Sequence, residues 1–220
     1  MRFYSICAII VLLTGLLQGC KKESDIVSDV DGNTYSTVKI GGELWMKESL
    51  RTMKLNDGTD IANVTSNGPW SGLTTPAWCD YDNAPANSAI YGKLYNWYSV
   101  NSGKLCPTGW HVPTETEWAD MITALGESAV AGGKMKETGT NHWASPNTSA
   151  DNSSGFNALP GGYRNYMGSF QELTYLSAFW TSTQSAAGYA FHRSMGFRHA
   201  EADGYALDVR SGLSVRCIKD

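Results

Sequence analysis

Three kinds of side chain in this sequence could do chemistry. Asn147, Asp151 and Asn152 place hard oxygen donors close together, behind Trp143-Ala144-Ser145-Pro146-Asn147. Calcium takes about six to eight oxygen ligands, so these three residues are the candidate set for a structural calcium ion. Asx-turns give the same composition without a metal, and beyond that one ion no cofactor is expected. Asp80-x-Asp82-Asn83 and Asp29-x-Asp31-Gly32 have a calcium-loop look but lack the rest of an EF-hand. The histidines, His111, His142, His192 and His199, are scattered. His192 and His199 could meet across a hairpin as a metal pair, against the plainer reading of solvated strand positions. The aromatic residues are the third kind. Eight Trp and 11 Tyr exceed what a small core needs, and aromatic faces stack on sugar rings and anchor protein interfaces. Trp70, Trp78 and Trp143 fall in loop-like stretches and, with Tyr163 and Arg164, are the candidate ligand-binding residues. Trp45, Trp97, Trp110, Trp118 and Trp180 are expected to fill the core. No HExxH, Cys-x-x-Cys, phosphate-binding glycine loop or Gly-x-Ser-x-Gly is present, so no catalytic residue is assigned.

Cysteine marks an address. Behind Arg2, an apolar stretch runs from Ile6 to Leu17, interrupted only at Thr14 and Gly15. It is too short to span a membrane as a helix of ~20 residues. It ends in Leu17-Gln18-Gly19-Cys20, the form of a bacterial lipobox, where small residues admit the signal peptidase and the Cys thiol takes a diacylglycerol. Residues 1–19 are therefore expected to be a lipoprotein signal peptide, Cys20 the lipidated residue and residues 20–28 a tether. Several acyl chains anchor far more firmly than one. Lys21-Lys22-Glu23-Ser24-Asp25 partly resembles the export signals of surface lipoproteins and equally fits a solvated linker. The expected location is the outer membrane, at the cell surface, with a periplasm-facing orientation left open. In that oxidising compartment Cys79, Cys106 and Cys217 allow three single pairings. Cys106–Cys217 is the expected one, because both flank segments that should be ordered. Cys79, in Trp78-Cys79-Asp80-Tyr81, is then a buried free thiol.

Composition supports a single folded domain over residues 29–220. The chain has 220 residues and is 42% hydrophobic, enough to bury a core. Seventeen Lys and Arg against 21 Asp and Glu leave a net charge of −4. A nucleic-acid partner would need a basic face, so none is expected.

The elements that must position these residues follow from local signals. Thr34 to Ile40 is rich in β-formers, Gly41-Gly42 turns, and Glu43-Leu44-Trp45-Met46 returns, which predicts a hairpin over 33–46. Residues 56–90 read as loop. Tyr91, Leu94, Tyr95 and Tyr98 have helical spacing, which predicts a short helix over about 91–100. Thr114 and Glu117 form a capping box ahead of a Trp118, Met121, Ile122, Leu125 stripe that stops at Gly126. A second short helix is expected over 127–137. Residues 138–160 are rich in Asn, Ser, Thr and Gly, and alternating strands follow around 189–194, 205–210 and 213–217. The sum is an α+β fold with small antiparallel sheets, two or three short helices and long loops. Loops of such length usually bind something or are pinned by a metal or disulfide.

A series of motifs then carries a family likeness. Asp31-Gly32-Asn33-Thr34-Tyr35, Val38-Lys39-Ile40-Gly41-Gly42-Glu43-Leu44-Trp45-Met46 and Tyr91-Gly92-Lys93-Leu94-Tyr95-Asn96-Trp97-Tyr98 come first. Leu105-Cys106-Pro107-Thr108-Gly109-Trp110-His111-Val112-Pro113-Thr114, Ser154 to Arg164, Phe179-Trp180-Thr181-Ser182 and Ser214-Val215-Arg216-Cys217 follow in order. Together they resemble the Fibrobacter succinogenes major paralogous domain, a family of secreted or lipid-anchored bacterial proteins with no established activity. More distantly, Pro113 to Trp118, Gly161-Gly162-Tyr163-Arg164 and Val215-Arg216-Cys217 resemble segments of the formylglycine-generating sulfatase-modifying enzymes, which implies a C-type-lectin-like fold. A disulfide from the first helix region to the last strand is typical of that fold, in agreement with Cys106–Cys217. Those enzymes hold copper with a cysteine pair, and a disulfide here would leave no such pair. Calcium-dependent lectins of that fold use Glu-Pro-Asn and Trp-Asn-Asp. Ser145-Pro146-Asn147 and Trp180-Thr181-Ser182 depart from both. The expected function is a lipid-anchored, non-catalytic recognition module that binds a glycan or protein through aromatic-rich loops. The alternatives are a structural or assembly component of the envelope or a surface appendage, or an enzyme of the formylglycine-generating type without its copper pair.

Overall fold

The computed structural model describes residues 26–220. The expected signal peptide and Cys20 lie outside the described residues. The architecture is α+β, with four small sheets and five short helices: α1 (Asn67–Ser71), α2 (Pro85–Tyr91), α3 (Trp97–Asn101), α4 (Glu115–Ala124) and α5 (Ser128–Met135). That is more helix segments than the two or three expected.

The first hairpin forms as its sequence predicts. Thr37–Ile40 pairs antiparallel with Glu43–Met46, and Gly41 and Gly42 turn with positive φ. Trp110–His111 and the last strand, Ile218–Lys219, complete that four-stranded sheet. A six-stranded sheet runs through Phe170–Leu173, Gly161–Arg164, Gly212–Leu213, Leu94–Asn96, Ala77–Cys79 and Ala62–Asn63. Only its last pair is parallel, and α1 makes the crossover that a parallel pair requires. A three-stranded sheet consists of Leu176–Ala186, Tyr189–Gly196 and Asp203–Asp208. Val27–Ser28 pairs with Thr34–Tyr35.

The capping box at α4 is fully made. The Thr114 hydroxyl accepts from the Glu117 N–H at 3.2 Å, and the Glu117 carboxylate accepts from the Thr114 N–H at 2.7 Å. Gly126 follows at a φ of 98° and ends the helix. Trp118 from this helix is fully buried, 5.2 Å from Trp45 and stacked on Phe179. The predicted helix over 91–100 does not form. Tyr91 ends α2, and Gly92 takes a φ of 82° where a Cβ would come within 2.5 Å of the Ser49 Cβ. Leu94 and Tyr95 then enter a strand, and the Asn96 side chain accepts from the Ser99 N–H to start α3. The helical spacing of the four residues was produced by three different elements. Residues 56–90 likewise hold two short strands and two helices that turn-rich composition concealed.

Leu213, Val215 and Cys217 point into the core as their alternation suggests, but Ser214 and Arg216 between them are buried too. Tyr205 stays exposed, while Val209, two turns of alternation further on, is buried. Cys106 and Cys217 form the expected disulfide, with Cα atoms 6.0 Å apart. Cys79 is a buried free thiol, pushed up to about 12 by burial.

Three buried cations hold the loops. Arg164 donates to the carbonyls of Val64, Thr65 and Gly168 and lies 4.3 Å from the Trp70 ring. Arg216 donates to the carbonyls of Phe156 and Asn157. Lys136 donates to those of Thr148, Gly196 and His199 at 2.8–2.9 Å. Backbone carbonyls turned inward by irregular chain need such donors, because a buried acceptor without one is costly.

Candidate ligand-binding groove

A cleft of about 540 Å³ lies between the hairpin Gly161–Arg164/Phe170–Leu173 and the end of the three-stranded sheet. The hairpin register sets Tyr163 opposite Gln171, and the Tyr163 hydroxyl donates to the Gln171 Oε1. Burial raises the Tyr163 pKa, with a smaller contribution from the Glu172 charge. At the turn, the Asn165 Oδ1 accepts from the N–H groups of Met167 and Ser169, both at 3.0 Å. This Asx-type closure presents Tyr166 at the rim, 43% exposed. The opposite wall begins at Tyr189, 50% exposed and paired in register with Asp208.

Asp208 and Arg210 close the floor together. The Arg210 Nε and Nη2 donate to the two Asp208 oxygens at 2.8 and 2.5 Å, and Nη1 donates to the Ser71 carbonyl at 3.1 Å. This bidentate pair lowers the Asp208 pKa and keeps it ionised. The guanidinium lies 5.2 Å from the centre of the Tyr166 ring, within cation–π range.

Of the five candidate ligand-binding residues, only Tyr163 lines this groove. The other four are buried. Arg164 is fully buried and secures the hairpin turn through Gly168. Trp70 is fully buried beneath Gly212, where a Cβ would come within 2.8 Å of its ring. Trp78 is a strand residue whose Nε1 donates to the Ile61 carbonyl, with the Lys93 ammonium 3.6 Å from its ring. Trp143 is buried and donates to the Ala158 carbonyl. The loops fold inward over the core and supply its large rings, so their tryptophans have no face for a ligand.

Each of the calcium candidates has protein partners of its own. The Asn147 Nδ2 donates to the carbonyls of Glu137 and Gly139. The Asp151 carboxylate accepts from the Ser153 N–H, and Asn152 bonds Asn157 through both its side-chain atoms. Among the described residues no group of three or more His, Cys, Asp or Glu side chains is arranged to hold a metal. The carbonyls nearby converge instead on the Lys136 ammonium.

The sequence pattern of the Fibrobacter succinogenes major domain matches residues 38–219. The chain belongs to that family. The match runs from the first hairpin to the last strand, so the disulfide and the whole groove lie inside the Fibrobacter succinogenes major domain. Neither the curated proteins nor the solved structures contain a significant match.

Two further polar clusters in this domain were hidden in the sequence. Ser88 and Lys93 both donate to the Asp80 Oδ1, and all three side chains are buried. Lys93 donates to the same Asp80 oxygen that accepts from Ser88, so the carboxylate sits in an internal ion pair and the Ser88 hydroxyl is buried with it. The cluster ties α2 and the residue ahead of Leu94–Asn96 to Asp80, at the end of Ala77–Cys79. His111 bonds Asp220 through Nδ1 at 2.6 Å and Glu117 through Nε2 at 2.9 Å. Partial burial alone would lower its pKa, but these bonds more than offset that and raise it. His192 is buried between Trp180 and Tyr205 rather than solvated, and burial pulls it down to about 4. The His199 Nδ1 lies 3.0 Å from a Glu201 carboxylate oxygen.

The residues that sequence reasoning missed are Tyr166, Tyr189, Asp208 and Arg210. A signal existed for the first. Asn165-Tyr166-Met167-Gly168 is a turn tetrapeptide with two exposed apolar side chains at its tip.

Proposed function

We propose that this domain is a non-catalytic recognition module that binds a glycan or a protein in the tyrosine-lined groove. The carrying observation is the groove itself. Three tyrosines surround a mutually neutralised Asp208–Arg210 pair, an arrangement suited to holding a ligand rather than to moving a proton. The lipobox ending in Cys20 supports a lipid anchor at the outer membrane, facing the cell surface. Among the described residues no helix is long and apolar enough to cross a membrane. The bridge from Cys106, ahead of α4, to Cys217, in the last strand region, supports a C-type-lectin-like fold. It also takes two of the thiols that a copper oxidase would need, and Cys79 is buried alone.

The test is capture by ligand. The full chain and its Tyr166→Ala and Tyr189→Ala variants are compared on a glycan array and in surface crosslinking of cells. Binding or crosslinking that both variants lose supports the groove, and binding that neither variant changes refutes it. A structural role in the envelope is the second reading. The open outer edge of Asp203–Asp208, the last strand in its sheet, favours it. Crosslinks that centre on Tyr205 of that strand, with no soluble ligand, would decide for it.

A further inference from the structure

The chemistry of the groove narrows its ligand, on the assumption that the groove is the binding site. We infer that it takes an uncharged, pyranose-containing oligosaccharide and does so without calcium.

Charge is the first argument. Asp208 and Arg210 are the charged residues of the lining, and they are paired with each other. Three nitrogens of Arg210 already donate to protein oxygens, so an incoming carboxylate or sulfate finds no unpaired cation. The Asp208 carboxylate is neutralised by a guanidinium, so a divalent cation gains little there either.

Hydrogen-bonding capacity is the second. The Gln171 Oε1 and the Asn165 Oδ1 are engaged by Tyr163 and by the turn. Their amide N–H₂ groups bond no other group among the described residues and face a solvent-open cleft. The hydroxyls of Tyr166 and Tyr189 offer a donor and an acceptor each. Amide donors beside a carboxylate and phenols match the vicinal hydroxyls of a sugar, each of which gives one hydrogen bond and accepts others.

Shape is the third. The tyrosine rings present flat apolar faces with polar tips, and a pyranose has the complementary mixture of C–H faces and hydroxyl edges. A peptide would need an apolar anchor pocket to hold it in the groove. The aliphatic lining is limited to Ala206 and Leu207. The volume lies within the range of about 300–1,000 Å³ usual for small-molecule sites.

The test uses the full chain in a detergent without a sugar headgroup, with and without a chelator. Neutral hexasaccharides of the gluco, manno, galacto and xylo series are titrated beside polygalacturonate and heparin oligosaccharides and a peptide library. The expected result is binding of at least one neutral series, unchanged by chelator or by raised salt. Affinity should fall about tenfold in Tyr166→Ala and in Tyr189→Ala. Tyr205→Ala, an exposed tyrosine outside the groove, should bind as the wild type does. Binding confined to anionic glycans or to peptides, yet lost in the two tyrosine variants, overturns the ligand class and keeps the groove. Neutral-glycan binding that the chelator abolishes overturns the calcium-free part. Binding that the tyrosine variants leave intact, or no glycan binding at all, overturns the inference.

Discussion

Replacing Lys136 by Met tests how the longest loop is held. The side chain is fully buried, and its ammonium donates to the carbonyls of Thr148, Gly196 and His199. These oxygens belong to the loop after α5 and to the chain leaving the three-stranded sheet, so one nitrogen joins two parts of the fold. Methionine fills nearly the same volume and donates nothing. A buried acceptor left without a partner costs about 1–3 kcal/mol. Removing the ammonium also removes its own desolvation cost, which offsets part of the loss. A net destabilisation of about 2–4 kcal/mol follows, equivalent to a fall of about 5–15 °C in Tm for a domain of this size.

Burial pulls the Lys136 pKa from 10.5 to about 8. Between those values the unfolded chain holds a proton that the folded chain has released, so this group makes stability rise with pH in that window. Lys136→Met lacks the rise. The advantage of wild type over variant, measured by denaturant midpoint, should therefore grow from pH 8 to pH 10. Amide exchange across residues 138–160 should speed up in the variant at neutral pH. A variant within about 0.5 kcal/mol of wild type, with exchange in that loop unchanged, would refute the ammonium as the element that holds it.

Other expectations follow from the same geometry. Cys20→Ala should move the protein from the membrane fraction to the soluble one, and retention in the membrane would remove the lipid anchor from the proposal. The Cys106–Cys217 bridge spans 111 residues, and its loss should cost about 4–5 kcal/mol in the chain-entropy model, read as a lowered denaturant midpoint in the Cys106→Ser/Cys217→Ser variant. The His111 pKa is raised by Asp220 and Glu117, so its stabilisation is full below the ordinary value of 6.5 and is lost as pH rises through the folded-state value. Stabilities of wild type and His111→Gln, read by denaturant unfolding, should differ by about 0.5–1 kcal/mol at pH 5.5 and converge as pH rises through the folded-state value.

What could be read from sequence was whatever a few adjacent residues decide. The α4 helix needs only Thr114, Glu117 and Gly126, which settle its ends by local hydrogen bonds and backbone freedom. The hairpin at Gly41-Gly42 is equally local. The stretch 91–98 misled because side-chain spacing carries no information about Gly92, whose conformation is dictated by the close approach of Ser49. The loop tryptophans misled for a related reason. Whether Trp70 faces solvent depends on Gly212 and Arg164, far along the chain, which place a strand and a guanidinium against it. Tyr189 and Arg210 joined the groove through sheet register and through a carbonyl at Ser71, neither of which alternation reveals.

The Asn-rich composition of residues 138–160 is explained by backbone geometry. Asn147, Ser149, Asn152 and Asn157 all have φ between 46° and 58°, the left-handed region that Asn visits more readily than most residues. A chain that turns this way repeatedly points carbonyls inward, and those carbonyls require donors. Lys136 and Arg216 supply them: the ammonium takes Thr148, and the guanidinium takes Phe156 and Asn157. The same side chains also rest against aromatic rings, Lys136 5.4 Å from Trp143 and Arg216 4.2 Å from Phe156, which shields the charge in an otherwise apolar core. Asparagine content, buried tryptophan and buried cation thus belong to one device for folding long loops onto a small sheet.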